Sequence, residues 1–220
     1  MKQMGIVLAV MAVVAMGSET PTNAQTAQAG PVRIEMTAGT KARYRVGERL
    51  VGVSVTNDAV GSTEAVTGVI VLKADGSIDA TQSKIVVDMK SLSSDQAMRD
   101  MFLQMSVLQT SKFPTLEFVP TKAVGLPNPL PVGTKMPNST IVIPTPVGFQ
   151  LTGNMTLHGV TKEVTWSIVA TMGPEAIAGR GTAKITFAAF NMTKPVVPVL
   201  ASAEDDINLE LEFRAKRAAQ

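Results

Sequence analysis

The side chains able to do chemistry are few, and their spacing limits what chemistry is available. Histidine occurs once, at His158, and cysteine not at all, so the usual nucleophile and base pairings cannot be assembled. No serine stands in a Gly-x-Ser-x-Gly elbow and no glycine-rich phosphate loop is present. A single histidine without a thiolate also falls short of a zinc or haem ligand set, so no metal is expected. Glu204, Asp205 and Asp206 are adjacent carboxylates, but they lack calcium-loop spacing and read as a solvated loop. Arg99-Asp100 fits a device that positions a helix better than a catalytic dyad. His158, beside Gly159 between two alternating runs, reads as a solvent-facing turn residue. What the chain has in quantity is aliphatic surface at strand spacing, and the chemistry this offers is burial of an apolar ligand.

The elements that carry that surface can be placed by period. In the central stretch Ile85, Val87 and Met89 alternate with Val86, Asp88 and Lys90, the pattern of a strand with one buried face. Ser93 and Gln96 have capping-box spacing, and Met98, Met101, Phe102 and Met105 then recur at threes and fours, which predicts a short helix laying that stripe on something apolar. Phe113-Pro114 ends the helix and leads into Leu116 and Phe118. Upstream, Val51, Val53 and Val55 alternate, Asn57-Asp58 and Gly61-Ser62 mark a turn region, and Val66 to Leu72 returns, with both faces of Val69 to Leu72 covered. Downstream, Phe149, Leu151, Gly153, Met155 and Leu157 share a face opposite Val164, Trp166, Ile168 and Ala170. Ile185 and Phe187 follow, and the last strand sets Ile207, Leu209, Leu211 and Phe213 against Asn208, Glu210, Glu212 and Arg214. About eight strands, hairpin-length connections and no βαβ alternation predict an all-β, antiparallel, lipocalin-like barrel with one short helix inserted between strands. Alternation assigns Ile85, Val87, Phe118, Phe149, Leu151, Met155, Leu157, Trp166, Ile168, Leu209 and Leu211 to the interior, as the lining of a pocket.

Several of these residues also carry a likeness. Val86-Val87-Asp88-Met89-Lys90-Ser91-Leu92, then Arg99-Asp100, Leu103, Lys112-Phe113-Pro114-Thr115 and Glu117-Phe118 resemble the central signature of the YceI-like family. Leu151-Thr152-Gly153-Asn154-Met155-Thr156-Leu157-His158-Gly159-Val160-Thr161-Lys162 is similar to that family's second conserved strand and turn. Two departures stand out: Phe102 replaces a histidine common after the Arg-Asp pair, and Val46-Gly47-Glu48-Arg49-Leu50 replaces an Asp-x-x-His-Ser lead-in. The resemblance implies a lipocalin-like barrel that binds a long-chain isoprenoid, a polyisoprenoid or quinone-like lipid, non-covalently and without enzymatic turnover. It implies no other cofactor.

The remaining segments bound the setting. Lys2, the uncharged apolar run Met4 to Met16 and Ala27-Gln28-Ala29 form the pattern of a signal peptide over residues 1–29, with Ala24 as an alternative cleavage point. The run is shorter than a span requires, so the expected product is a periplasmic or secreted barrel domain, residues 30–220, without a stable membrane span. A net charge of +2 and the lack of a basic stripe argue against nucleic acid. Seven of the 13 prolines lie between Pro120 and Pro146, which predicts a long loop with at most a short edge strand over 139–143. That loop is either a lid over the barrel mouth or a surface excursion. Two functions follow: transport or storage of the lipid, or a structural barrel with a filled core whose proline-rich loop binds a partner. A homodimer is compatible with both.

Overall fold

The computed structural model describes residues 30–218 other than Val53, Val197 and Val199, so the signal peptide expected over 1–29 lies outside the described residues. The alternating runs form an all-β fold, a closed antiparallel barrel of eight strands with one short helix. Strand β1 comprises Val32–Met36 and Lys41–Leu50, and β2 comprises Asn57–Thr63 and Val66–Leu72; β3 is Lys84–Asp88, β4 Thr115–Val124, β5 Thr145–Leu157, β6 Val160–Met172, β7 Ala176–Thr186 and β8 Asp206–Ala218. Each strand pairs with the next, and β8 returns to β1 through Met36↔Ala215 and Tyr44↔Leu209. The break inside β1 is bridged by buried Thr40, whose hydroxyl accepts from Arg214 N (3.1 Å) and donates to Thr37 O (2.9 Å), replacing ladder bonds that the extra residues remove.

The first hairpin turns earlier than the valines suggest. β1 ends at Leu50 and β2 begins at Asn57, with Glu48 opposite Asn57, while Val51 and Val55 are exposed in the turn and Val53 lies outside the described residues. Ala59, Gly61 and Thr63 do alternate inward, but such small side chains leave almost no hydrophobic trace in the sequence.

The helix faces differently from its methionine stripe. Ser93–Ser94 is a short strand on β2 instead of a cap, and α1, Ala97–Phe102, starts without a side-chain cap on Gln96. Asp100 reaches back to Ser94, accepting from its N (2.9 Å) and from its hydroxyl (2.6 Å). A wider turn, Leu103–Val107, follows, with Leu108 N bonded to Leu103 O (2.7 Å). That i to i+5 turn shifts the helical phase. Met98, Met101 and Met105 point outward, Met105 being 71% exposed, whereas Val107 is 2% exposed and Phe102, Leu103 and Leu108 pack on the core.

The proline-rich stretch closes the opposite end. Pro120 pairs inside β4 at a register shift facing Thr152 and Gly153, where a bulge tolerates a missing donor, and Pro146 sits at the start of β5. Between them Leu130 is buried in the core, Arg217 donates to Pro131 O, and Asn128 Nδ2 donates to Ala74 O (3.4 Å). The short strand is Val142–Ile143, paired with Thr134–Lys135. The first half of this segment is thus a plug at the end away from the helix, so it is no lid on the helix side. Leu130→Ala is expected to lower the unfolding free energy by about 2–5 kcal/mol, whereas Met105→Ala should stay within about 0.5 kcal/mol; urea unfolding monitored by circular dichroism checks both.

Candidate ligand-binding site

The two halves of the barrel are filled differently. Toward the plug, Leu72, Leu130, Val147, Met172, Ile177 and Ala215 belong to the packed core. Toward the helix the side chains leave a cavity of about 130 Å³, apolar almost throughout, close in size to an apolar cavity of about 150 Å³ that takes one benzene. Beyond it a vestibule of about 980 Å³ lies between the end of β1, α1 and the 195–203 segment. The two share Tyr44, Val46, Leu103 and Phe187 on their walls, so the two spaces adjoin.

Of the interior residues expected from alternation, Ile85, Val87, Phe118, Leu151 and Leu157 line the cavity, as do Trp166, Ile168, Leu209 and Leu211. Phe149 and Met155 do not. Phe149 is half-buried against the core, and Met155, 0% exposed, stands opposite Phe118 inside the packed wall. Sharing a face fixes which way a side chain points, but it does not say at which level the barrel stays open. The cavity is also lined by Tyr44 and Val46 from β1, Leu103, Val107 and Leu108 from the helical segment, and Ile185, Phe187 and Ile207 from β7, its end and β8, which alternation did not assign. Ile207 alternates with Leu209 and Leu211 and so carries a signal in the sequence; for Val107 and Leu108 the wide turn hides it.

The charged groups hold the mouth without entering the cavity. Arg99 Nη2 pairs with Glu48 (3.1 Å) and its Nη1 with Asp95 (2.7 Å), tying α1 to β1 at the vestibule. Arg43 is on the cavity wall, yet its guanidinium pairs with Glu212 on the outer face. The acidic trio is not a cluster: Lys194 takes Asp205 (2.9 Å), Lys184 takes Asp206 (2.9 Å), and Glu204 lies over Gly47. Among the described residues no group of His, Asp and Glu could hold a metal ion. His158 is not solvent-facing. With φ of 52° beside Gly159 at 75°, it forms the two-residue turn joining β5 to β6, as left-handed turn positions require. Its Nδ1 is 3.2 Å from Phe190 O and its ring is 4.6 Å from that of Phe113.

Tyr44 stands where vestibule and cavity adjoin. Its ring lies against Gly61, where a Cβ would come 2.3 Å from Cε1. Residues 33–215 match the YceI-like domain. The chain belongs to the YceI-like family. The YceI-like barrel is similar in fold to a polyisoprenoid binding domain from Saccharophagus degradans (TM-score 0.59, 8% identity, covering 84% of this chain and 98% of that one). It is also similar to BcnA from Burkholderia cenocepacia (0.55, 14%, 80% and 95%) and to the YceI protein of Campylobacter jejuni (0.52, 19%, 78% and 91%). No curated protein matches the sequence. Among the described residues no helix is long and apolar enough to cross a membrane.

Burial pushes the Tyr44 phenol up to about 12; Arg99 opposes the shift, and Asp100, Glu48 and Asp95 add to it. Tyr44 is the only tyrosine, so its phenolate absorbance can be followed directly. It is expected to appear near pH 12 in the folded protein and near pH 10 in denaturant. Between those values the folded state keeps a proton that the unfolded state releases, so stability should fall as pH rises from 10 to 12.

Proposed function

We propose that the YceI-like barrel is a non-enzymatic carrier or store for a long-chain isoprenoid, a polyisoprenoid or quinone-like lipid, held non-covalently with its chain in the cavity. The observation that carries this reading is the apolar cavity between Trp166 and the Leu103–Leu108 segment, opening on the vestibule at the helix end. A chain entering there removes its methylenes from water at about 0.8 kcal/mol each, and the cavity wall offers it no charged head group to displace. The binding named for the similar Saccharophagus degradans domain points the same way. A cavity that the barrel's own side chains leave open favours this reading over a barrel with a filled interior. The leader pattern of residues 1–29 supports release to the periplasm or outside the cell, where a chain without cysteine needs no disulfide to fold.

Organic extraction of protein purified from its own cells, followed by mass spectrometry, is expected to recover a prenyl lipid; protein that is repeatedly empty and takes up no added prenyl lipid would refute the proposal. Leu157→Gln should weaken uptake about tenfold or more by placing an amide in an apolar wall. Thr152→Ser should leave uptake unchanged, because Thr152 faces outward and only shares a hydroxyl contact with Thr165 (2.8 Å).

A further inference from the structure

The rim of the vestibule is apolar on three segments. Val51 and Val55 are exposed in the turn between β1 and β2, Val196 in the 195–203 segment and Met98 on α1, with Val196 at 85%. The first two segments run side by side, because the short strand Leu200–Ala203 continues the sheet along the end of β1 and sets Leu200 opposite Leu50. Leu50, Val51, Pro198 and Leu200 line the vestibule from that side, Met98 and Phe102 from α1. Single exposed apolar side chains are ordinary, but an apolar rim around an opening marks a contact surface. Exposed Val124, Ile141 and Ile143 lie by the plug instead, where Leu130 closes the barrel.

Charge says what the rim can meet. Residues 50–56 and 195–203 hold no Lys, Arg, Asp or Glu, and each run has three valines. The charges begin below these two tips and are matched. Arg99 pairs with Glu48 and Asp95, Lys194 pairs with Asp205 (2.9 Å), and Arg49 is offset by Glu204 over Gly47. The tips can therefore leave water without stranding a charge, and the collar beneath them has no surplus of cations to favour an anionic surface. An uncharged tip above a balanced collar is complementary to zwitterionic head groups lying over hydrocarbon.

We infer that the vestibule rim docks on a zwitterionic bilayer, with Val51, Val55, Val196 and Met98 entering the edge of its hydrocarbon, so that a lipid chain passes between membrane and barrel without crossing water. The inference rests on the lipid-binding reading and adds to it the surface from which the lipid is taken.

The test uses protein purified from its own cells and phosphatidylcholine vesicles, with or without phosphatidylglycerol. Because the chain has no cysteine, Val55→Cys, Val196→Cys and Ile141→Cys can each carry a single polarity-sensitive fluorophore. On phosphatidylcholine the labels at 55 and 196 should shift to the blue and the label at 141 should not. The protein should float with these vesicles, phosphatidylglycerol should change that less than about twofold, and Val55→Asp combined with Val196→Asp should weaken it about tenfold or more. The same double variant should slow extraction of geranylgeraniol from the vesicles by a similar factor. It should leave uptake of geranylgeraniol dispersed in buffer unchanged, since neither residue is on the wall of the vestibule or the cavity. Docking is overturned, with lipid binding intact, if dispersed geranylgeraniol is taken up while the labels at 55 and 196 stay silent, if phosphatidylglycerol is required, or if the double variant floats as well as the parent. A dimer in the absence of vesicles that the double variant dissolves would assign the rim to a second copy and overturn it too. If geranylgeraniol is taken up from neither source, the lipid-binding reading itself falls, and docking for lipid exchange with it.

Discussion

Closure of the sheet, through β8 pairing back onto β1, is the constraint on which everything else depends. Once Leu209 faces Tyr44 and Ala215 faces Met36, every alternating run has a fixed inside, and a one-residue slip in any strand would turn its apolar set to water. Closure also removes exposed edges. It leaves two ends to be dealt with, and the chain treats them differently. Leu130 and its proline-rich segment pack into one; the helical insertion stands over the other, tied by Arg99 to Glu48 but not sealed. The cavity is the consequence of that asymmetry.

The outer face repeats the logic in charge. Arg45 lies between Asp58 (2.8 Å) and Glu210 (3.8 Å), and Arg180 reaches the same Glu210 (2.9 Å), so β2, β1, β8 and β7 are laced across the side remote from the cavity. Exposed pairs of this kind add little stability each. The ladder register behind them also sets Tyr44 and Trp166 at one level.

Much of this was legible in the residues. The runs from Phe149 to Ala170 and from Ile207 to Arg214 alternate so strictly that face and pairing follow from period alone, and nine residues assigned to the interior do meet at the cavity. What escaped has physical reasons. The methionines at 98, 101 and 105 keep helical spacing yet lie on the exposed face, and the wide turn at Leu103–Val107 breaks the 3.6 period that would have pointed to Val107 and Leu108. β2 buries Ala59, Gly61 and Thr63, whose size gives no hydrophobic signal. Pro120 reads as a strand breaker, yet it sits at a bulge where no donor is needed. Phe149 and Met155 show that the boundary between packed core and open cavity depends on how neighbouring side chains fill each level. His158 looked solvated because a His-Gly turn is usually outside; the carbonyl of Phe190, distant in sequence, is what it meets.

A crystal structure of the protein with a bound prenyl lipid tests the central claim most directly. The account predicts a chain lying between Trp166, Leu157 and the Leu103–Leu108 segment, entered from the vestibule beside Arg99. A barrel whose own side chains fill that space, with the lipid instead on the outward methionines Met101 and Met105, would contradict it.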